Sequence, residues 1–165
     1  MAEIKRVKRT EFATFLNVGT KEAPKFARMG KGITGQVLAY NPKITDTQYI
    51  DNENGTSELE AYAPSLPTPQ NAFRGDEVFD YVDGLRKERA TGDAAKTEIL
   101  LVYVYQQDGE NVFEAEKNDV VVTITDFGGE AGAPVIINYD LKFTGDPVKG
   151  TAKIENKAAV FTATA

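Results

Sequence analysis

Short apolar runs and alternating apolar and polar positions dominate this chain, and both patterns are typical of β-strands. Residues 12–18 (FATFLNV) predict a strand that ends at Gly19. Residues 33–40 (ITGQVLAY) predict another strand, which ends at the turn Asn41-Pro42. Residues 99–105 (ILLVYVY) are apolar on both faces, so we expect a central strand there.

The C-terminal strands, residues 97–165, show the most regular alternation between residues 134 and 144. This alternation predicts that Val135, Ile137, Tyr139, Leu141 and Phe143 face one way, and that Ile136, Asn138, Asp140 and Lys142 face the other. The pattern also predicts strands at 112–113 and 120–125, a glycine-rich turn at 126–129, a turn at 145–147, and a last hairpin at 151–154 and 159–164.

One segment, residues 75–90, has the spacing of a helix. Val78, Tyr81, Val82 and Leu85 form a single apolar stripe. Acidic residues fill the first turn and basic residues the last, as the helix dipole favours. Gly92 is the predicted stop. Before the helix, Pro64, Pro67 and Pro69 predict a stiff linker.

Residues 44–65 predict a protruding hairpin arm. Asn54-Gly55 is the favoured centre of a two-residue turn, and that turn places Ile50 opposite Leu59 on one face. The other face then carries Thr47, Tyr49, Asp51, Glu58, Glu60 and Tyr62. Asp51 would lie opposite Glu58, which is unfavourable for like charges. A two-stranded ribbon is only marginally stable in water, so we expect the arm to need a partner, and its acidic face favours a basic one.

Together these elements predict a mainly β (α+β) fold in a single domain, residues 1–165. The expected architecture is a β-sandwich or part-barrel of two antiparallel sheets, with one flanking α-helix and the protruding hairpin arm.

The charges are unevenly distributed along the chain, whose net charge is -6. Residues 1–31 hold eight basic and three acidic residues, and the basic N-terminal segment 1–11 supplies four of the basic ones: Lys5, Arg6, Lys8 and Arg9. Residues 41–65 hold five acidic residues and one lysine. Such runs are either ordinary solvated faces or complementary surfaces that meet in an assembly. The net negative charge disfavours general binding to nucleic acid.

The composition excludes most kinds of catalytic site and metal-binding site. The chain has no cysteine and no histidine, which excludes disulfides, Cys/His metal sites and a Ser-His-Asp triad. Residues 30–37 (GKGITGQV) and 126–128 (DFG) match two protein-kinase motifs, but the chain is too short for two lobes and lacks the catalytic-loop histidine. Acidic residues at 76, 77, 80 and 83 could hold a hard cation, although a solvated helix face is favoured. We therefore expect no enzyme activity and no cofactor.

Membrane insertion is not expected either. The chain has no apolar run long enough to span a bilayer, and its first residues lack the apolar core of a signal peptide.

Eight segments, taken in order, carry a resemblance to a known family: FARMGKGI (26–33), YNP (40–42), QYI (48–50), YAPS (62–65), GDEVFDYVDGLR (75–86), EILLV (98–102), DFGGE (126–130) and FTGDP (143–147). Over nearly its whole length the chain resembles the major tail proteins of long-tailed, non-contractile bacteriophages, which are the subunits of the tail tube.

This resemblance implies a structural protein of the virion that is made and assembled in the host cytoplasm. Six subunits would form a ring, and rings would stack around a tape-measure protein, with a tail terminator and tail-tip or baseplate proteins at the ends. DNA would pass through the lumen without specific binding. The implied subunit interfaces are the arm residues Thr47, Tyr49, Ile50, Asp51, Glu58, Leu59, Glu60 and Tyr62, and the N-terminal residues Lys5, Arg6, Lys8 and Arg9. Asn138 and Asp140 are candidates for the lumen wall.

A stand-alone β-sandwich module that binds a glycan or a protein is the alternative. It would explain the tyrosines and the acidic patch equally well, but not a long hairpin without a partner.

Overall fold

A computed structural model describes residues 3–164 of the protein. Residues 1 and 2 of the basic N-terminal segment, and Ala165 at the end of the predicted domain, lie outside the described residues. Residues 3–164 contain two short 3-10 turns, Arg9–Glu11 and Gly92–Ala95, together with nine strands and one α-helix. These are β1 (Phe12–Asn17), β2 (Phe26–Arg28), β3 (Pro42–Thr47), β4 (Thr56–Tyr62), β5 (Ser65–Asn71), α1 (Glu77–Glu88), β6 (Lys96–Gly109), β7 (Val112–Gly128), β8 (Ile136–Glu155) and β9 (Ala158–Ala163).

Seven of these strands form one antiparallel sheet in the order β5-β8-β7-β6-β1-β2-β9. The sheet closes on itself because β9 also pairs with β8. The result is a six-stranded barrel, with β5 attached outside it along the first half of β8. The arm strands β3 and β4 form a separate two-stranded sheet. The fold is therefore mainly β with one helix, as predicted, and the expected sandwich or part-barrel of two sheets is in fact a closed barrel with a second, small sheet.

Two apolar cores lie on opposite faces of the central strand β6. Ile99 and Leu101 pack beneath α1, while Leu100 and Val102 point into the barrel. All four side chains are buried, which confirms the prediction of a central strand. The alternation predicted along β8 is also present, since Ile137, Tyr139 and Leu141 belong to the core beneath α1.

The helix has the predicted apolar stripe but different ends. Asp76 caps its N-terminus by accepting a hydrogen bond from the Phe79 N–H at 3.1 Å. Arg89, in the left-handed conformation at φ 50°, ends it, so the predicted stop at Gly92 is wrong. Phe79 is buried together with Val78 and Val82.

The strand predicted at residues 33–40 is absent, and only Ala39 makes a bridge, to Ser65. Side-chain hydrogen bonds hold this segment in place. Buried Gln36 donates to Thr68 Oγ1 at 2.8 Å and accepts from Thr14 Oγ1 at 2.9 Å. Ile33 and Leu38 of this segment pack on the core without a strand ladder.

The proline-rich linker predicted before the helix is instead the edge strand β5. Pro67 and Pro69 are exposed, and they alternate with buried Leu66, Thr68 and Gln70. An edge strand tolerates proline where the missing N–H would point away from its partner.

Two further strands are longer than predicted. The segments 112–113 and 120–125 belong to one strand, β7, and residues 145–147 lie inside β8. Gly145 has a φ of 77° where the register with β7 shifts, so this segment is a bulge rather than the predicted turn. A glycine-rich connection joins β7 to β8, but at residues 129–135, because residues 126–128 of the predicted turn belong to β7. The last hairpin, β8–β9, is present as predicted.

Candidate assembly surface

The arm, residues 42–62, is exposed along both of its strands. Its observed register differs from the predicted one. Ile44, not Ile50, faces Leu59, and Thr47 faces Thr56. The predicted two-residue turn at 54–55 is therefore wrong, and residues 48–55 form a longer tip. Within this tip the side-chain amide of Gln48 donates to the carbonyl oxygens of Asn52 (3.3 Å) and Glu53 (3.1 Å). In this register Glu58 faces Thr45, so the unfavourable pairing with Asp51 does not arise.

One side of the arm is apolar. Ile44 and Leu59 are direct partners, and Tyr62 lies on the same side because it pairs with Pro42, two positions from Ile44. Tyr40 packs edge-on against Tyr62, with ring centroids 5.9 Å apart. Each of these four large side chains is more than half exposed. We call Tyr40, Ile44, Leu59 and Tyr62 the apolar face of the arm, and it corrects the predicted placement of Tyr62 among the acidic residues.

The other side of the arm is polar and acidic. Glu60 accepts a hydrogen bond from Thr45 Oγ1 at 2.5 Å and lies 3.6 Å from Lys43 Nζ. Glu58 projects on this side together with Thr47, as the register requires. The remaining predicted interface residues, Tyr49, Ile50 and Asp51, lie on the tip, where Ile50 is fully exposed.

Asn41 fastens the arm to the body. Its side-chain amide donates to the Ala63 carbonyl and to Ser65 Oγ, both at 3.0 Å. Its φ of 46° is a left-handed conformation that asparagine adopts more readily than most residues. Backbone hydrogen bonds between Ala39 and Ser65, and from the Ala63 N–H to the Tyr40 carbonyl at 3.0 Å, hold the base of the arm together with this side chain.

A group of aromatic rings continues from the base of the arm onto the barrel. Phe12 stacks on Tyr103, and Tyr103 contacts Tyr105, each pair with centroids 5.9 Å apart. Burial, followed by the negative charge of Glu116, raises the pKa of Tyr103 and also that of Tyr40. Both hydroxyl groups are therefore neutral across the physiological pH range.

The basic N-terminal segment is exposed, and its four predicted residues divide into two kinds. Arg9 bonds within the chain, to the carbonyl oxygen of Phe12 at 2.5 Å, and lies over the Phe12 ring. Lys5 lies 3.3 Å from Glu3 in a fully solvated pair, and Arg6 and Lys8 are exposed. Only Lys5, Arg6 and Lys8 have side chains available to a partner surface.

Asn138 and Asp140 lie together on the face of β8 that points away from the helix-covered core. Asn138 donates to Asp126 Oδ1 of β7 at 2.5 Å. Asp140 is opposite Thr123 on β7 and Pro67 on β5. Its Oδ1 atom is buried without a hydrogen-bond partner among the described residues. The structure thus places both predicted residues on one polar, mildly acidic sheet face.

The acidic residues near α1 have structural roles. Asp76 caps the helix, and Asp83 binds Arg86 (2.8 Å) and Lys87 (3.2 Å). Burial alone would raise the pKa of Asp83, but these two hydrogen-bond partners lower it below its ordinary value. Within residues 3–164 no cluster of three or more acidic side chains has a metal-binding arrangement. The same residues include no helix with the length and apolarity that a membrane crossing requires.

Comparisons with known proteins identify solved structures that have the same fold. No protein-family model matches the chain, and no curated protein matches its sequence. A chain from the tail of an empty GTA particle with C6 symmetry aligns at a TM-score of 0.62 and 10% identity, over 86% of this chain and 97% of that one. A chain of the six-fold symmetrised baseplate of the anti-feeding prophage aligns at a TM-score of 0.51 and 10% identity, over 90% and 97%.

A third match comes from the extended-state sheath/tube terminator of an extracellular contractile injection system, PVC. It has a TM-score of 0.50 and 10% identity, over 90% of this chain and 99% of that one. The protein therefore shares its fold with chains of tail, baseplate and tube-terminator structures of phage-like particles.

Proposed function

We propose that this protein is the structural subunit of a phage tail tube. The observation that carries the proposal is the arm, which exposes four large apolar side chains that its own domain leaves uncovered. Burying such a face against a neighbouring subunit is favourable by about 25 cal/mol per Å² of apolar surface. The shared fold with chains of six-fold tail and baseplate structures supports the same conclusion.

In the proposed assembly, six copies form a ring, and rings stack into a hollow tube around a tape-measure protein. The tube ends at terminator and tail-tip or baseplate proteins, and the genome passes through it into the host. The particle is assembled in the bacterial cytoplasm. Assignment to a non-contractile tail rests on the sequence resemblance, because the matched structures include a contractile system.

The sheet face of Asn138 and Asp140 is the proposed lumen wall. A basic wall would hold DNA by neutralising its phosphates. Near Asn138 this face carries the carboxylates of Asp126 and Asp140 and the amine of Lys142, a net negative balance that would repel phosphate and let DNA slide.

Two interface elements are proposed beyond the apolar face. The polar side of the arm, with Glu58 and Glu60, suits a basic neighbour, and the exposed Lys5, Arg6 and Lys8 of the N-terminal segment suit an acidic one. Among residues 3–164, Arg6, Lys8 and Glu58 form no ion pair, and the pairs of Lys5 with Glu3 (3.3 Å) and of Glu60 with Lys43 (3.6 Å) are exposed to solvent.

The test is negative-stain electron microscopy of the purified protein at rising concentration, with light scattering in parallel. We expect rings or hollow tubes of uniform diameter. A protein that stays monomeric, even when tail-tip components are supplied, would instead favour the alternative of a stand-alone binding module for a glycan or a protein.

The charge of the arm gives a second test in the same assay. We expect the triple substitution Asp51→Lys, Glu58→Lys and Glu60→Lys to prevent assembly, because it replaces the acidic surface with a basic one. The control replaces three acidic residues far from the arm in sequence, Glu88→Lys, Asp108→Lys and Glu130→Lys, for the same change in net charge. Unchanged assembly of the arm variant would contradict a role of these charges.

A further inference from the structure

An open cleft lies between the start of α1 and the turn that joins β8 to β9. Its volume is about 800 Å³. Five basic residues line it: Lys25, Arg28, Lys31, Arg74 and Lys157. Apolar atoms of Ala27, Phe73 and Ala158 also line it. The cleft therefore combines an apolar lining with a basic rim.

The positive charge of this rim is only partly balanced. Two carboxylates are present, but Asp76 caps α1 and Glu77 lies 3.1 Å from Lys25. Among residues 3–164, Arg28, Arg74 and Lys157 have no carboxylate within 4.0 Å. Three exposed cations around one concave surface favour an anionic occupant.

The tip of the arm has the complementary composition. Tyr49 and Ile50 are large and exposed, and the carboxylates of Asp51 and Glu53 follow them directly. An apolar pair beside two carboxylates is complementary to an apolar lining beside a basic rim, because the apolar surfaces can pack together while the charges are opposite.

The base of the arm and the cleft lie at opposite ends of strand β5. The arm joins the body at Ser65, where β5 begins and pairs with Ala39. The cleft lies at the other end of β5, where the Asn71 N–H donates to the Gly32 carbonyl at 2.9 Å. The strand between them spans about 20 Å. A contact from one end of a subunit to the opposite end of the next is head-to-tail, and such contacts propagate into an open stack.

We propose that this cleft is the receptor for the arm tip of a second copy of the chain. The inference rests on the proposed function, since it requires self-association, but it names a surface that the tail-tube proposal leaves unspecified. The polar side of the arm and the N-terminal segment remain separate contacts.

Disulfide trapping tests this contact directly, because the natural chain has no cysteine and hence no background. The Ile50→Cys chain is mixed with the Ala158→Cys chain and oxidised at the concentration where assembly occurs. A disulfide forms only when the two Cα atoms come within about 7 Å. We expect a mixed dimer to form on the order of 100-fold faster than in the control mixture, because the contact raises the effective concentration.

The control mixture contains Ile50→Cys with Ala163→Cys, an exposed alanine at the other end of the same strand β9. Assembly without faster trapping at Ala158 would overturn the cleft as receptor and leave the tail-tube function standing. Absence of both assembly and trapping would overturn the tail-tube function together with the cleft as receptor.

A charge exchange provides the second measurement. We expect Asp51→Lys with Glu53→Lys, or Arg28→Glu with Arg74→Glu, to raise the concentration needed for assembly about ten-fold or more. Combining all four substitutions in one chain should restore most of that loss, because each tip then meets a cleft of opposite charge. A combined variant that assembles no better than the two parents would overturn the pairing.

Discussion

A short chain of buried hydrogen bonds connects the sheet to the helix. Tyr139 donates to Gln70 Oε1 at 2.9 Å, and Gln70 donates to Asp76 Oδ2 at 3.0 Å. The same carboxylate oxygen accepts from the Phe79 N–H at the start of α1. Tyr139 and Gln70 are almost completely buried, so any group in this chain that lost its partner would stay unsatisfied.

We expect Tyr139→Phe to lower the free energy of unfolding by about 1–3 kcal/mol at pH 7, because Gln70 Oε1 would lose its buried donor. The pH dependence of the free energy of unfolding distinguishes the loss of this hydrogen bond from a change in packing. Burial, followed by the charge of Asp76, raises the pKa of Tyr139 above its ordinary 10.0. The unfolded chain then loses this proton first, so the stability from a neutral Tyr139 is present below pH 10 and is lost as pH rises above it.

The measurement is urea unfolding of wild type and Tyr139→Phe between neutral pH and pH values above 10. Wild type should lose up to about 1.4 kcal/mol per pH unit more than the variant in the alkaline range. Tyr103 titrates in both proteins and serves as the internal reference. Parallel alkaline slopes would contradict the account.

Alternation along the chain was sufficient to predict which way Tyr139 points, but not what it binds. Gln70 directly follows Pro69, the last proline of a segment predicted as a linker, and Gln36 lies in a predicted strand that does not form. Both glutamines are buried because distant side chains satisfy them. A polar residue in a single sequence does not reveal such partners.

At the scale of elements, the arm shows how local preference and tertiary pairing differ. Asn54-Gly55 is a favoured tight turn, yet the strands pair in a register that leaves residues 48–55 as a longer tip. The observed register brings Ile44 beside Leu59 and removes the pairing of like charges. The existence of the arm was therefore predictable, whereas its faces were not, because a changed register changes every cross-strand partner.

The apolar face of the arm gives the prediction at this scale. We expect Ile44→Ser with Leu59→Ser to abolish assembly while changing the free energy of unfolding by less than about 0.5 kcal/mol. Exposed side chains contribute little to the stability of the isolated subunit, but in the proposed assembly the same side chains would be buried between subunits. Circular dichroism with thermal unfolding checks the fold, and light scattering checks assembly.

The control for that variant is Thr45→Ser with Thr47→Ser on the polar side of the same strand, which leaves the apolar face intact. This control should assemble as wild type does. Normal assembly of the Ile44/Leu59 variant would show that the apolar face has no role, and a large loss of stability would show that it packs within its own subunit.

At the scale of the whole molecule, the closed barrel depends on pairings that no local pattern contains. One strand, β8, pairs with β5 through its first half and with β9 through its second, and β7 follows most of its length. The strand β2 is only three residues long, too short to show a period, yet it links β1 to β9. The mainly β composition and the single helix could be predicted, but closure could not.

The fold also places the helix and the Asn138/Asp140 surface on opposite faces of the sheet. The helix covers one face of the sheet, while the face of Asn138 and Asp140 lies on the other side. If that face lines the lumen, a basic variant of it should retain nucleic acid that the natural protein releases. We expect tubes of Thr123→Lys with Asp126→Lys to retain a short fluorescent oligonucleotide, with a strong dependence on salt.

Protection from nuclease distinguishes the lumen from the outer surface. The matched control, Asp80→Lys with Glu88→Gln, makes the same change in net charge on the exposed surface of α1, the helix that covers the other face of the sheet. Oligonucleotide retained by the first variant should resist digestion, because the tube wall excludes the enzyme, whereas any bound to the control should be cut. Equal digestion in both would place the Asn138 and Asp140 face outside the tube, and an acidic wall would then no longer account for the passage of DNA.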